Sequence, residues 1–403
     1  MAAWLVAAGH QVRVVTAPPY YPAWQLGAGH KAGRYSTEQW QGVGVWRCPL
    51  WIPQQPGGTH RVLHLLSFAI SSLPVLLRQV FWRPDVVWVA APAFACTPGA
   101  LLVAKLSGAP AWLHVQDFEI DVAFDMGLLR GKLARSVVTG LERWLLQRFN
   151  VVSSISQRML QRLAEKGVAA KRIVRFANWV DVQAITPLGH ASAYRQELGI
   201  AADAVVALFS GTLGAKQGLH LLPEAAKLLN DRCPNIVFVI CGDGVMKTHL
   251  QHATQGLANV YHLPLQPKDR LGELMGLADI HLLPQDVDVA DLVMPSKLTA
   301  MLSSGKPVVT NARATTEVAQ IVAACGLVTA PGNSQAFADA ISSLAENPNR
   351  RSALGHAARI YAESNSASQP LLQKFLAQII ALASGQALPE RSGATEIQST
   401  QQV

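Results

Sequence analysis

Cysteine is scarce in this chain, acidic charge is thin, and no apolar stretch is long enough to announce a membrane span. The five cysteines, Cys48, Cys96, Cys233, Cys241 and Cys325, are scattered, odd in number and never spaced Cys-x-x-Cys. They imply neither a disulfide framework nor a zinc site, and a reducing compartment fits. No Gly-Lys-Ser/Thr stands at P-loop spacing and no Gly-x-Gly-x-x-Gly follows a strand, which argues against an ATPase and against an NAD-dependent Rossmann enzyme. No short internal repeat is present, so a solenoid is set aside. Met1 leads into an alanine-rich segment without a basic region, and no secretory leader is expected.

What the chain does have is bulk. With 403 residues, half of them hydrophobic and 15% charged, it can bury a large core and reads as two α/β domains. Only Ser384 to Val403, polar and poor in large apolar side chains, is expected to be a loose tail. The net charge of +8 admits nucleic acid, an anionic membrane surface or a phosphorylated substrate as partner. Arg61, Arg78 and Arg83 flank the apolar run Val62 to Leu77, whose 16 residues include His64 and Pro74 and fall short of the ~20 of a spanning helix. This run reads as a core helix or as an interfacial one, not as a span.

Strand and helix patterns alternate. Strands are expected at Gln11–Thr16, Val43–Cys48, Asp85–Ala91, Ala111–Val115, Val151–Ile155 and Ile173–Phe176. A second series follows at Val205–Phe209, Ile236–Cys241, Val260–Leu263, Ile280–Pro284, Pro307–Thr310 and Gly326–Thr329, with helices such as Leu133–Arg148 and Arg158–Lys166 between. That order gives two Rossmann-like domains, 1–183 and 184–383, followed by the polar tail 384–403. Ala2 to Ala8 reads as a helix capped at Gly9-His10. A βαβ unit would place a strand and a glycine-rich turn before it, and neither is present, so the first domain is expected to lack its opening half-unit.

The chemistry concentrates at three glycine-rich strand ends of the second series. After Val205–Phe209 comes Ser-Gly-Thr-Leu-Gly-Ala-Lys, where Gly211 and Gly214 let backbone approach an anion and Lys216 adds a compact positive charge. Without a ligand, the same turn with a solvated lysine is equally common. Cys-Gly-Asp-Gly ends the next strand, and Met294 to Val309 joins a Ser-Lys helix start to a Gly-Lys-Pro turn. Together they suggest one ligand crevice.

These words, with AAGHQVRVVTAPPYYPAWQ (Ala7 to Gln25), VWRCPLWIPQQP (Val45 to Pro56), AKLSGAPAWLHVQDFEID (Ala104 to Asp121), FANWVD (Phe176 to Asp181), SGTLGAKQGL (Ser210 to Leu219) and MPSKLTAML (Met294 to Leu302), resemble the GT-B glycosyltransferases of family 4, and among them the colanic-acid biosynthesis group. The resemblance runs from Ala7 to about Ile380. It implies two Rossmann-like domains facing a central cleft, the first an acceptor domain apparently truncated, the second a nucleotide-sugar domain. It further implies a retaining transferase that uses no cofactor or metal, takes sugar from a nucleotide diphosphate, with GDP-fucose expected, and passes it to a lipid-linked saccharide. The expected location is peripheral, on the inner face of the bacterial inner membrane, without a nucleic-acid partner.

The resemblance also assigns residues. Lys216 would neutralise charge on the leaving diphosphate; Gly211 and Thr212 would let backbone meet the same phosphates; Gly242 and Gly244 would leave room for the donor. Ser296 and Lys297 offer a further anion contact, although Lys297 reads equally as a solvated first-turn lysine. His114 would face the transferred sugar, against a structural role at a strand end. Asp117 would bind or deprotonate the acceptor hydroxyl, against a turn-capping role. Glu119 and Asp121 complete an acidic trio that reads as exposed turn residues more readily than as a metal site. Ala300 stands where the family's ribose glutamate belongs and Leu292 eight residues earlier, leaving Asp291 or nearby backbone to substitute, and Thr212 replaces a common arginine. The absent opening strand and loop make a non-catalytic nucleotide-sugar-binding protein the alternative. A metal-dependent transferase using Asp286-Val287-Asp288 is a weaker one.

Overall fold

The computed structural model describes residues 1–20, 24–31, 33–54, 58–91, 94–118, 132–215, 217–286 and 294–389. They form two compact units, one of Met1–Ala177 with the chain from Leu372 onward, the other of Asn178–Leu371.

The second unit holds a six-stranded parallel sheet: β8 (Val205–Ser210), β9 (Ile236–Cys241), β10 (Val260–Leu263), β11 (Ile280–Leu283), β12 (Val308–Asn311) and β13 (Gly326–Thr329), in the order β10-β9-β8-β11-β12-β13. Every pairing is parallel. A sheet covered on both faces favours strands apolar along their length, and β8 shows it from Val205 to Phe209. Its Val205, Ala207 and Phe209 join one buried cluster with Leu222, Ala226 and Leu229 of α7 (Leu221–Asn230). Val206 and Leu208 join the opposite cluster with Leu274 and Leu277 of α9 (Leu271–Leu277). Burying a side chain the size of Phe209 stabilises by roughly 2–3 kcal/mol. The strand order reverses between β8 and β11, which opens a crevice at their carboxyl ends.

The first unit has a four-stranded parallel sheet in the order β4-β5-β6-β7, from β4 (Val87–Ala91), β5 (Ala111–Val115), β6 (Val151–Ser154) and β7 (Ile173–Arg175). A separate three-stranded sheet, β1-β3-β2, is made by β1 (Arg13–Thr16), β2 (Ser36–Trp40) and β3 (Val43–Arg47). Among the described residues β1 pairs only with β3 and β4 only with β5, so the sheet of this unit is in two pieces. The open edges are incompletely covered: Val14 and Val15 are half-buried and Ala90 is exposed, whereas every residue of β5 is buried.

Two features depart from the sequence expectations. β2 was not foreseen, because all five of its residues are exposed and no apolar alternation marks them. It is instead held antiparallel to β3 by a two-residue turn in which Gln41 and Gly42 both have positive φ, 48° and 79°. The last helix, α14 (Ser368–Ala383), was expected within 184–383, yet from Leu372 it belongs to the first unit. Its Phe375 stacks on Phe176 at 4.4 Å and meets Trp112 edge-on at 5.2 Å, and all three rings are buried. The segment 178–187, by contrast, is fastened to the second unit, where Arg359 donates to the carbonyls of Val182, Ile185 and Ser303 at 2.7–2.9 Å.

The Arg-flanked apolar run lies inside a longer helix, α2 (Gly58–Gln79). With the turn after it, Thr59–Trp82 makes 24 residues, within which an 18-residue stretch has a mean hydropathy of 1.5, long and apolar enough to cross a membrane by length and composition. Its faces are inverted. The buried side carries His64, Ser72 and Gln79, and the outer side exposes Leu63, Leu66, Ile70 and Leu73, with Phe81 just beyond.

Candidate functional site

The site residues fall into two groups, one in each unit. In the second unit, the turn after β8 is zipped to the turn after β9, Gly211 N–H donating to Cys241 O at 3.0 Å and Leu213 N–H to Asp243 O at 2.8 Å, and the β9 turn is itself tied to the end of β10 by Gly242 N–H donating to Leu263 O at 3.0 Å. Gly211 and Gly242 hold φ of 147° and 150°, which side chains rarely adopt, and a Cβ on Gly242 would run into the carbonyl oxygen of Gly211. The Gly211 amide is thus taken by Cys241, and the side-chain position of Gly242 is filled by the Gly211 carbonyl. Their glycine character serves the contact between two backbones, and Gly244 likewise abuts the backbone of Leu213 and spends its amide on Asp243 Oδ1.

What remains free in this turn is more telling. Among the described residues the amides of Thr212, Gly214 and Ala215 have no acceptor. They follow the carboxyl end of β8, where the strand order reverses, in the manner of an anion-binding concavity. Lys216 and the stretch 287–293, with Asp288, Asp291 and Leu292, lie outside the described residues, as do Glu119 and Asp121.

Lys297 opens the short helix α10 (Lys297–Ser303) and turns inward. Its Nζ donates to Gln217 Oε1 at 2.9 Å, sits 4.2 Å from the centre of the Phe209 ring, and lies against Gly211. Among the described residues no carboxylate pairs with it. Burial pulls its ammonium down to about 7, which sets aside the solvated first-turn alternative. Ser296 before it is exposed, and Ala300 is half-buried against the cluster under β8 and β9.

In the first unit, His114 lies on β5 and is 1% exposed. Its Nδ1 is 2.8 Å from Ser153 Oγ, which also accepts the indole N–H of Trp112 at 2.8 Å, and its Nε2 is 2.8 Å from the side-chain amide of Gln116. Trp88 stacks over the ring at 5.8 Å. Burial pushes the imidazole down to about 4, so it is neutral at pH 7. Asp117, two residues past the strand, lines a small recess, with room for about one water, together with Ala91, Phe94, Val115, Phe118, Glu142 and Leu146. Burial raises its carboxyl above the usual aspartate range, with Arg61 pulling the other way. The Glu142 carboxylate in that wall is ion-paired to Lys166 at 2.5 Å, and both side chains are 4% exposed. Sequence reading missed Gln217, Ser153 and the Glu142–Lys166 pair. Only Ser153, a polar residue inside an apolar strand, left a local signal.

Residues 1–179 match the family described as glycosyl transferase 4-like domain, and residues 191–361 match glycosyl transferases group 1. Over 328 residues, 80% of each chain, the sequence is 42% identical to the colanic acid biosynthesis glycosyl transferase WcaI of Escherichia coli strain K12. The chain belongs to this glycosyltransferase family. Its fold is shared with HepE of Anabaena, solved in complex with UDP and glucose, at a TM-score of 0.66 and 18% identity over 91% of this chain and 98% of that one. It is shared too with sucrose-phosphate synthase of Thermosynechococcus elongatus, at a TM-score of 0.73 and 14% identity over 94% and 92%, and with the lipopolysaccharide glycosyltransferase WaaG, at 0.63 and 16% over 92% of both. The two Rossmann-like units of this transferase are thus those of the GT-B fold.

Proposed function

We propose that this transferase moves a sugar, fucose from GDP-fucose, to a lipid-linked saccharide in the biosynthesis of colanic acid or a related exopolysaccharide, with retention at the anomeric carbon. The observation that carries the reading is the turn after β8, where the amides of Thr212, Gly214 and Ala215, without an acceptor among the described residues, follow the strand-order reversal near the Lys297 ammonium, which no described carboxylate pairs. A diphosphate satisfies both, and as leaving group it gains negative charge while the sugar bond breaks. No metal or cofactor takes part. Lys216 of the same turn adds charge to the phosphates, Ser296 a hydroxyl, and Asp117 receives the acceptor proton. The colanic acid assignment rests on the relative named above.

An acceptor with a lipid tail calls for a membrane-facing surface, and α2 supplies one. Its outer apolar face, flanked by the exposed Arg61, Arg78 and Arg83, suits the inner surface of an anionic bilayer. The two-piece sheet of the first unit favours a second reading, a nucleotide-sugar-binding protein without turnover. One experiment separates them: incubation with a panel of nucleotide sugars and a lipid-linked acceptor, followed by NMR of the product. An α-linked product from the α-donor or a β-linked one from the β-donor supports the proposal. Donor binding without product supports the second reading, and transfer from UDP-sugars alone removes GDP-fucose.

A further inference from the structure

Two groups, Ser153 and Gln116, hydrogen-bond His114, and the balance of these bonds with that from Trp112 to Ser153 decides what the strand end presents to a ligand. Ser153 is fully buried and its hydroxyl has two neighbours among the described residues, the N–H of Trp112 and Nδ1 of His114. Trp112 can only donate. The one acceptor left for the Ser153 proton is therefore Nδ1, and a buried hydroxyl proton without an acceptor is costly. Ser153 donating into Nδ1 leaves the neutral ring with its proton on Nε2. The partner of Nε2 is the Gln116 carboxamide, whose nitrogen lies 2.8 Å away. A half-turn of that amide, which exchanges nitrogen and oxygen in nearly the same space, puts its carbonyl on the Nε2 proton and turns its NH2 outward. His114 is then occupied at both nitrogens and sealed from solvent, while Gln116 is half-buried, one residue past the carboxyl end of β5 and next to Asp117.

We propose that Gln116, not His114, is the residue of this strand end that touches the saccharide, donating its NH2 to a hydroxyl oxygen, and that Ser153 and His114 are positioning residues that fix the orientation of its amide. The inference rests on the proposed transfer reaction for its ligand class, but the tautomer it requires does not.

Two measurements test it. The first is the nitrogen-15 NMR spectrum of the imidazole in the wild-type chain at pH 7. The expected result is a neutral ring protonated at Nε2, converted to the Nδ1 form or to a mixture by Ser153→Ala. An imidazolium, or a ring already protonated at Nδ1, overturns the proposal whether or not transfer is ever observed. The second is kinetic, with nucleoside diphosphate affinity followed separately by calorimetry. Gln116→Ala is expected to raise KM for the saccharide about tenfold, and Gln116→Glu, which replaces the donor by a carboxylate, more than tenfold beyond that. Nucleoside diphosphate affinity should be unchanged in both. Ser153→Ala should raise the same KM without adding a limb to the pH profile. Kinetic constants within twofold of wild type in Gln116→Ala, or a limb near pH 6–7 in the wild type that His114→Asn abolishes, overturn the proposal. Absence of transfer from every donor counts against the reaction and leaves the NMR result to decide the relay.

Discussion

The ammonium of Lys297 rests 2.9 Å from the Gln217 side-chain oxygen and 4.2 Å from the centre of the Phe209 ring, with no carboxylate beside it among the described residues. A neutral amide and an aromatic face return only part of the solvation a lysine loses on burial, so the site favours whatever brings negative charge.

Lys297 should therefore gain a proton when an anion binds. Its folded value of about 7 lies below the ordinary 10.5, so the unfolded chain holds more protons between those values and folding stability rises with pH across that window. At pH 8, binding of a nucleoside diphosphate should take up a fraction of a proton, seen by calorimetry in buffers of different ionisation enthalpy. Lys297→Met should abolish the uptake and weaken binding by roughly tenfold or more, and unchanged uptake would remove Lys297 from the site.

Lys216→Ala should lower transfer by about 10²–10³-fold, the scale of losing one group that stabilises developing charge. Circular dichroism and the melting midpoint should stay as in the wild type. Full transfer in that variant would defeat the proposed donor geometry.

Gly242→Ala separates a structural glycine from a ligand-binding one. A methyl there would strike the carbonyl of Gly211 and strain a φ of 150°, so a stability loss of ~2–4 kcal/mol is expected in urea unfolding. A variant of native stability with only KM for the donor raised would instead restore the sequence-based role.

Two buried neutral histidines predict acid sensitivity. Burial lowers His114 to about 4 and His281, whose Nε2 meets Ser304 at 2.9 Å, to about 3, from an ordinary 6.5. The unfolded chain binds the extra protons below pH 6.5, so the stability these groups hold at neutral pH is lost as pH falls from 6.5 toward 4 and 3. Each contributes ~3–5 kcal/mol as a ceiling. Urea midpoints at pH 7, 5.5 and 4.5 should fall in that order, and the slope should flatten in His281→Leu.

The outer face of α2 should bind anionic vesicles. Ile70 is 71% and Phe81 88% exposed, and replacing Ile70 and Leu66 together by Asp should cut vesicle flotation by roughly tenfold or more. The melting midpoint should hold, because neither side chain is buried. Complete recovery of the wild type in the supernatant at low salt would remove the membrane surface from the proposal.

Local chemistry announced the strands of the second unit, because burial on both faces favours strands apolar along their length, and Val205–Ser210 and Ile236–Cys241 are so up to the last residue of β8. It also announced the helix starts and the glycine turns, since backbone at a φ near 150°, as at Gly211 and Gly242, favours glycine. Why those glycines are there was decided by tertiary packing: Gly242 is required by the carbonyl of a residue 31 positions earlier, and no local pattern encodes that neighbour. The same holds for α14, whose apolar stripe predicts burial but not which unit receives it, and for His114, whose identity suggests proton chemistry until Ser153 and Gln116 close around both of its nitrogens. Periodicity is a property of contiguous residues and can be read along the chain. Solvation and hydrogen-bond closure depend on groups the fold brings together from distant positions, and these set the charge of Lys297 and the silence of His114.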